Sequence, residues 1–199
     1  SRVQQECAQE LDMFNATTPA VPEKIPVLKL RQAQEIIFDR TGRDCRQEKD
    51  LAPEDEREIC KYAREKYGSD LIFISHFVTK KKPFYIYPDP EDPEYAFSVD
   101  LLGRGVEWSS GGQRLHDYQQ IRKHLKEWGL KEADVELYLQ SFKYAVPPLG
   151  GFALGAERMT MHILGLQNIR EASMFPRDME RVDTRLSTRR PVKRTKAKD

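Results

Sequence analysis

The sequence predicts an α+β chain, with a helical first third followed by short strands and a second set of helices. Three features of the chain predict this. Two amphipathic helix patterns fill residues 25–70. At Leu71 the pattern changes to short apolar runs, and a Gly103-Arg104 dipeptide separates two of the later ones. The run Gly150-Gly151-Phe152-Ala153-Leu154-Gly155-Ala156-Glu157-Arg158 then sets glycines directly before another amphipathic helix, whose face carries Met159, Ile163 and Leu166.

Taken in order, residues 1–24 begin as a short polar helix and end in the loop Thr17-Thr18-Pro19-Ala20-Val21-Pro22. Lys29 to Arg40 reads as a helix with Leu30, Ala33 and Ile37 on one face. Pro53-Glu54-Asp55-Glu56 starts a second helix, with proline in the first turn and acids at the positive end of the dipole. It continues through Ile59, Cys60, Ala63 and Tyr67, and Gly68 can cap it. Leu71-Ile72-Phe73-Ile74 and Phe84-Tyr85-Ile86-Tyr87 read as strands joined by the basic segment Thr79-Lys80-Lys81-Lys82-Pro83. The segment from Pro88 to Pro93 holds three prolines, so it is a rigid loop and not a central strand. Ala96 to Leu102 and Val106 to Ser110 form a hairpin, and residues 117–128 and 132–143 form two helices around Gly129. No internal repeat is present.

The 199 residues suffice for one domain with a real core. Net charge is only +1, but from Arg185 onward seven bases meet one acid, so this tail carries +6 and the remainder −5. Such a tail can touch nucleic-acid phosphates or serve as a solubilising end. Cys7, Cys45 and Cys60 lie far apart with no CxxC pair, which argues against a zinc site or a disulfide framework and for a reducing cytoplasm. The four histidines show no ligand spacing. No signal-peptide pattern and no run of about 18 apolar residues is present, so a cytoplasmic protein without a membrane span is expected.

Two stretches carry candidate chemistry. Unpaired N–H groups and a positive dipole at a helix start favour an anion, and glycines let it approach. Arg158 would add a planar charged fork, which points to an anion site suited to a nucleotide; a tight strand-to-helix turn with a surface arginine is the alternative. In the hairpin, a type II′ turn at Gly103-Arg104 would set Leu102 against Gly105, Leu101 against Val106 and Asp100 against Glu107. Two adjacent carboxylates need a cation between them, and beside a phosphate site that cation would be Mg²⁺; surface acids on a solvated face are the alternative. Ser110 joins them only if the strand bulges or ends, which Gly111-Gly112 permits. Arg114 would then enter the same cleft, with a fork that suits a carboxylate.

The run from Phe97 to Arg114 resembles the active-site hairpin of archaeal-type aspartyl-tRNA synthetases. Gly150 to Arg158 is similar to motif 3 of class II aminoacyl-tRNA synthetases. Phe175-Pro176-Arg177-Asp178 resembles the segment that follows it in the aspartyl group, and Lys82-Pro83-Phe84-Tyr85-Ile86 the strand before the hairpin. The resemblance implies an antiparallel sheet flanked by helices, incomplete here. It implies that Arg158 stacks on adenine and contacts the terminal phosphate of ATP, as the catalytic arginine, with Gly155, Ala156 and Glu157 lining the nucleotide. It implies that Glu107 holds Mg²⁺ and ATP, that Asp100 and Ser110 neighbour the metal, and that Ser110 and Arg114 bind aspartate, Arg114 through the side-chain carboxylate. The implied reaction is aspartate activation by ATP and transfer to tRNA(Asp), with tRNA(Asn) left open. A homodimer is implied for the full-length enzyme.

The sequence also departs from the family. Ala153 stands where a third glycine is usual. Motif 1, motif 2 with its α-phosphate arginine, and the anticodon-binding barrel have no counterpart. Arg46-Gln47-Glu48 imitates the motif 2 core without flanking strands. The chain is therefore expected to comprise a helical segment over 1–70, an antiparallel-sheet core with motif 3 over 71–186 and a basic tail over 187–199. It reads as a piece of a longer ligase, inactive alone, or as a reduced relative. The other readings are a non-catalytic synthetase-like module for RNA or protein, and an asparaginyl-type relative.

Overall fold

The computed structural model describes residues 2–177; Asp178 and the basic tail lie outside them. Two short helices, α1 (Arg2–Glu6) and α2 (Ala8–Met13), lead through the proline loop to β1 (Val27–Lys29) and α3 (Leu30–Thr41). The start of α3 is tied by the Lys29 N–H, which donates to Gln32 Oε1 at 2.8 Å. Its end is set by Gly42 at φ 75°. Next comes α4 (Pro53–Tyr67), with proline and three acids in its first turn and Gly68 at φ 62° past its end. Arg40 of α3 bridges to Glu58 and Glu65 of α4, at 2.7 and 2.9 Å.

The strands β2 (Leu71–Ser75), β3 (Ser98–Gly103), β4 (Val106–Arg114) and β5 (Leu149–Leu154) form an antiparallel sheet in chain order. β1 pairs parallel with β2 and makes the sheet mixed at that edge. Sequence reading missed β1, because three residues are too short to show a period of two. Between β4 and β5 lie α5 (Tyr118–Glu127) and α6 (Glu136–Lys143), and α7 (Ala156–Leu164) follows β5.

Two cores result. Leu30, Ala33 and Ile37 of α3 and Ile59, Cys60 and Ala63 of α4 pack on Ile72, Ile74 and Leu102 of the sheet. Ile121 and Leu125 of α5 pack with Leu139 and Phe142 of α6 and with Leu115.

Two expectations are corrected. Phe84 to Tyr87 is not a strand: Phe84 and Tyr85 lie in a turn, and Ile86 and Pro88 make only isolated bridges, to Arg114 and Ala96. Prolines at 83 and 88 remove N–H donors from both ends, while Phe84 and Tyr87 pack against the second core. The hairpin turn is Arg104-Gly105, not Gly103-Arg104, with φ 50° and 95°, the sign pattern of type I′. Gly103 belongs to β3, where a Cβ would stand 2.6 Å from the Trp108 ring. Its missing side chain makes room for that indole. The register therefore shifts: Glu107 faces Leu102, and Asp100 faces Ser110.

Candidate active site

The hairpin carries a bulge. Leu101 pairs with Ser109 and Leu102 with Glu107, so Trp108 is the extra residue. The indole packs over Gly103, on the face that α7 covers through the ring of His162, 6.3 Å from that of Trp108. One residue of slippage reverses side-chain direction. Trp108 thus brings Glu107 to the face of Asp100, Leu102 and Ser110, and two further steps of alternation add Arg114. The bulge sits at Trp108 and not at Gly111-Gly112, which stay in β4, where a Cβ on either would meet neighbouring backbone at 2.6 Å.

Three contact groups lie along this face. In the first, Asp100 is 5% exposed and accepts from Ser110 Oγ at 2.5 Å and from Lys82 Nζ at 2.7 Å. Lys82 also lies 3.9 Å over the Phe77 ring, and its carbonyl accepts from Trp128 Nε1 at 3.1 Å. Sequence reading treated Lys82 as part of a basic connection. Its placement depends on the 3-10 turn Thr79–Lys81, which the lysine run does not announce.

The second group joins Glu107 and Arg158. The Arg158 guanidinium donates to the Glu107 carbonyl at 2.6 Å and lies 3.5 Å from its carboxylate. Burial raises the Glu107 carboxyl above the usual range, and the Asp100 charge adds to this, while Arg158 and Lys82 oppose it. Glu56 of α4 enters the same corner, where burial pushes its carboxyl up to about 7. Sequence reading did not single it out.

Arg114 is the third group. Its guanidinium lies 5.1 Å over the Tyr85 ring and crosses Gly151 of β5, where a Cβ would stand 2.8 Å from Nη2. Gly151 therefore serves close approach in a strand, not a phosphate loop. Among the described residues Arg114 makes no ion pair. Roughly 20 Å of strand separates it from Glu107 at ~3.3 Å per residue. Both arginines thus serve one face of the sheet, Arg158 by the bulge and Arg114 at the far end.

Gly155 is the N-cap of α7, without a side-chain partner, and its N–H donates to the Trp108 carbonyl at 3.0 Å. Ala156 and Glu157 follow as exposed first-turn residues and Arg158 is half-buried, so the helix start opens beside Glu107. No cluster of three or more His, Cys, Asp or Glu converges as a metal site among the described residues. Asp100, Glu107 and Ser110 offer two carboxylates and a hydroxyl, hard oxygen donors. That set fits Mg²⁺ accompanied by phosphate oxygens better than a metal held by protein alone. The three cysteines are free, and no described helix is long and apolar enough to cross a membrane.

The family model described as tRNA synthetases class II (D, K and N) matches residues 1–179. An aspartate–tRNA(Asp/Asn) ligase of Thermus thermophilus is 42% identical over 173 residues, covering 87% of this chain and 40% of the relative. The aspartyl tRNA synthetase structure from Entamoeba histolytica superposes with a TM-score of 0.85 at 30% identity, over 92% of this chain and 38% of that one. An asparaginyl-tRNA synthetase from Pyrococcus horikoshii, complexed with asparaginyl-adenylate, gives 0.81 at 28% identity, over 91% and 42%. The chain thus spans about two fifths of the length of these relatives.

Proposed function

This chain belongs to the class II tRNA synthetases (D, K and N), and on that premise we propose that it forms the later part of the catalytic domain of an aspartate–tRNA ligase. Aspartate relatives among the ligases support the substrate. The carrying observation is the division of one sheet face into an acid–arginine end beside a helix N-terminus and, at the other end, a guanidinium without an ion pair among the described residues.

In this reading a carboxylate oxygen of aspartate bonds to the α-phosphorus of ATP, the bond to the β-phosphate oxygen breaks, and pyrophosphate leaves. A hydroxyl at the 3′ end of tRNA(Asp) then attacks the carbonyl carbon of the aspartyl-adenylate, the bond from that carbon to the phosphate oxygen breaks, AMP leaves and the hydroxyl proton is released; tRNA(Asn) is a candidate second acceptor. Such a step calls for positioning and charge neutralisation rather than a protein nucleophile. Arg158 takes the adenine and terminal phosphate, and Gly155, Ala156 and Glu157 line the nucleotide. Arg114 takes the aspartate side-chain carboxylate, and Lys82, held by Asp100, adds positive charge at the nucleotide end. Asp100, Glu107 and Ser110 would hold Mg²⁺, which neutralises triphosphate charge when bound. A cytoplasmic homodimer completes the proposal. The free cysteines support the compartment, and the exposed Phe152 and Leu154 on β5, at 74% and 53%, support further packing on this edge.

Asparaginyl structures align nearly as well, so the amino acid is the point to test. Calorimetric titration of the chain with aspartate and with asparagine decides it. Aspartate is expected to bind at least about tenfold more tightly, since a charge-assisted fork would be left unmatched by an amide. Equal affinities would remove the aspartyl assignment. Aminoacylation by this chain alone is expected to be negligible, because no arginine-bearing motif 2 is present. Aspartate-driven exchange of pyrophosphate into ATP at the rate of an intact synthetase would contradict that.

A further inference from the structure

A type I′ turn needs left-handed backbone at both central residues, which asparagine, aspartate and glycine adopt at least cost. This chain sets Arg104 there, at φ 50°. Backbone strain of that kind persists where surrounding contacts fix it. Here the contacts come from the guanidinium. Arg104 Nη1 donates to the His162 carbonyl at 3.0 Å. Its Nη2 donates to the Thr17 carbonyl at 2.8 Å and to the Thr17 hydroxyl at 3.1 Å, and lies 3.7 Å from Asp70. Asp70 itself accepts from the Ala20 N–H at 2.7 Å and from Arg64 at 2.9 Å. One side chain at the hairpin tip thus joins the N-terminal loop, the entry to β2 and the end of α7.

His162 stands in the last turn of α7, where carbonyls lack partners inside the helix and the dipole favours a cation. It follows Arg158 by one helical turn, on the same side. α7 is therefore fastened to the hairpin at three points. The Gly155 N–H donates to the Trp108 carbonyl at 3.0 Å, Arg158 donates to the Glu107 carbonyl at 2.6 Å, and Arg104 donates to the His162 carbonyl. The first two sit together at the bulge and alone would leave a pivot. No residue of α7 is buried, so apolar packing restrains that pivot only weakly. The third point, at the other end of the helix, removes it.

We propose that Arg104 is a positioning residue for the nucleotide end: by gripping the His162 carbonyl it sets the tilt of α7, and with it the place of Arg158 against Glu107. This rests on the ATP reading of that end of the site, and it gives Arg104 no contact with the nucleotide.

The test uses Arg104→Asn and Arg104→Lys in the 199-residue chain, with three readouts: the NMR signal of the Arg158 Nε–H, titration with MgATP and with aspartate, and thermal midpoint. Asparagine suits the type I′ turn, so the hairpin is kept, but it is too short to reach His162 or Thr17. In Arg104→Asn the Arg158 signal should move and MgATP affinity should fall about five- to tenfold. Aspartate affinity should hold within about twofold, and the midpoint should fall by no more than about 4 °C. Arg104→Lys keeps one charged donor and should return part of the signal position and part of the affinity. An Arg158 signal that stays in place, or an unchanged MgATP affinity, overturns the proposal. So does an equal loss of both ligands together with the midpoint, which marks a merely structural arginine. If the unaltered chain binds no MgATP, the nucleotide reading fails, and the Arg158 signal in the two variants still decides whether Arg104 sets the place of α7.

Discussion

The two ends of the candidate site are built in opposite ways. Around Glu107 the charges are already matched: Arg158 lies on the carboxylate and carbonyl, Lys82 lies on Asp100, and Glu56 closes the corner. Around Arg114 there is an aromatic shelf of Tyr85 and Tyr138, a bare glycine strand and a guanidinium with no ion pair among the described residues. The first end is organised before any ligand arrives, which suits a polyphosphate that brings its own cation. The second keeps a fork unpaired, which suits a small anion that must be told from its amide.

Removing either fork should break this contrast most clearly. Arg158→Ala is expected to cost about 10- to 100-fold in MgATP affinity and leave aspartate affinity within a few-fold. Arg114→Ala should do the reverse by a similar factor, and Arg114→Lys should recover little because a point charge cannot replace a planar fork. Titration calorimetry of both ligands checks all three. If each variant weakens both ligands equally, the two ends are not separate.

Gly103→Ala strikes the organised end through packing. Its Cβ would stand 2.6 Å from the Trp108 ring and 2.9 Å from Leu71, so urea denaturation should show a loss of about 1–3 kcal/mol. MgATP binding should weaken more than aspartate binding, because the bulge that turns Glu107 inward depends on that indole. Gly151→Ala strikes the open end: a Cβ 2.8 Å from Arg114 Nη2 displaces the fork. A several-fold loss of aspartate affinity of about 1 kcal/mol is expected, with MgATP binding kept.

The smallest expected effect is on stability against pH. Burial is the leading cause that lowers the pKa of His76, His124 and His162 from 6.5, and Arg104 and Arg158 push His162 the same way. The unfolded chain therefore takes up protons near 6.5 that the folded chain resists. Stability from these groups is fully present above 6.5 and declines as pH falls from there toward the lower folded values. His162→Gln should flatten the part of that decline that belongs to the organised end, read from urea midpoints at pH 7.5 and 5.5.

Much of the fold was legible because local chemistry and tertiary structure agree. Pro53 and Gly68 bound α4, Leu30, Ala33 and Ile37 face the core, and the apolar run from Leu71 is a strand. The hairpin was legible but its register was not. Gly103 looked like a turn residue and is a packing glycine, a distinction made only by an indole on the other strand. Site residues distant in sequence were suggested by family resemblance, and Asp100, Glu107, Ser110 and Arg114 share one sheet face. Lys82 and Glu56 carried no local signal, since a lysine in a basic run and a glutamate on a charged helix look like solvated residues until the fold turns them inward. The basic tail lies outside the described residues.

Two arginines with separate ligands on one face are the centre of the proposed function. NMR of the side-chain Nε–H signals of Arg114 and Arg158 in the 199-residue chain tests this most directly. MgATP should shift the Arg158 signal and leave Arg114 in place, and aspartate should shift Arg114 and leave Arg158 in place. If aspartate moves Arg158, or if neither ligand moves either signal, the account is contradicted.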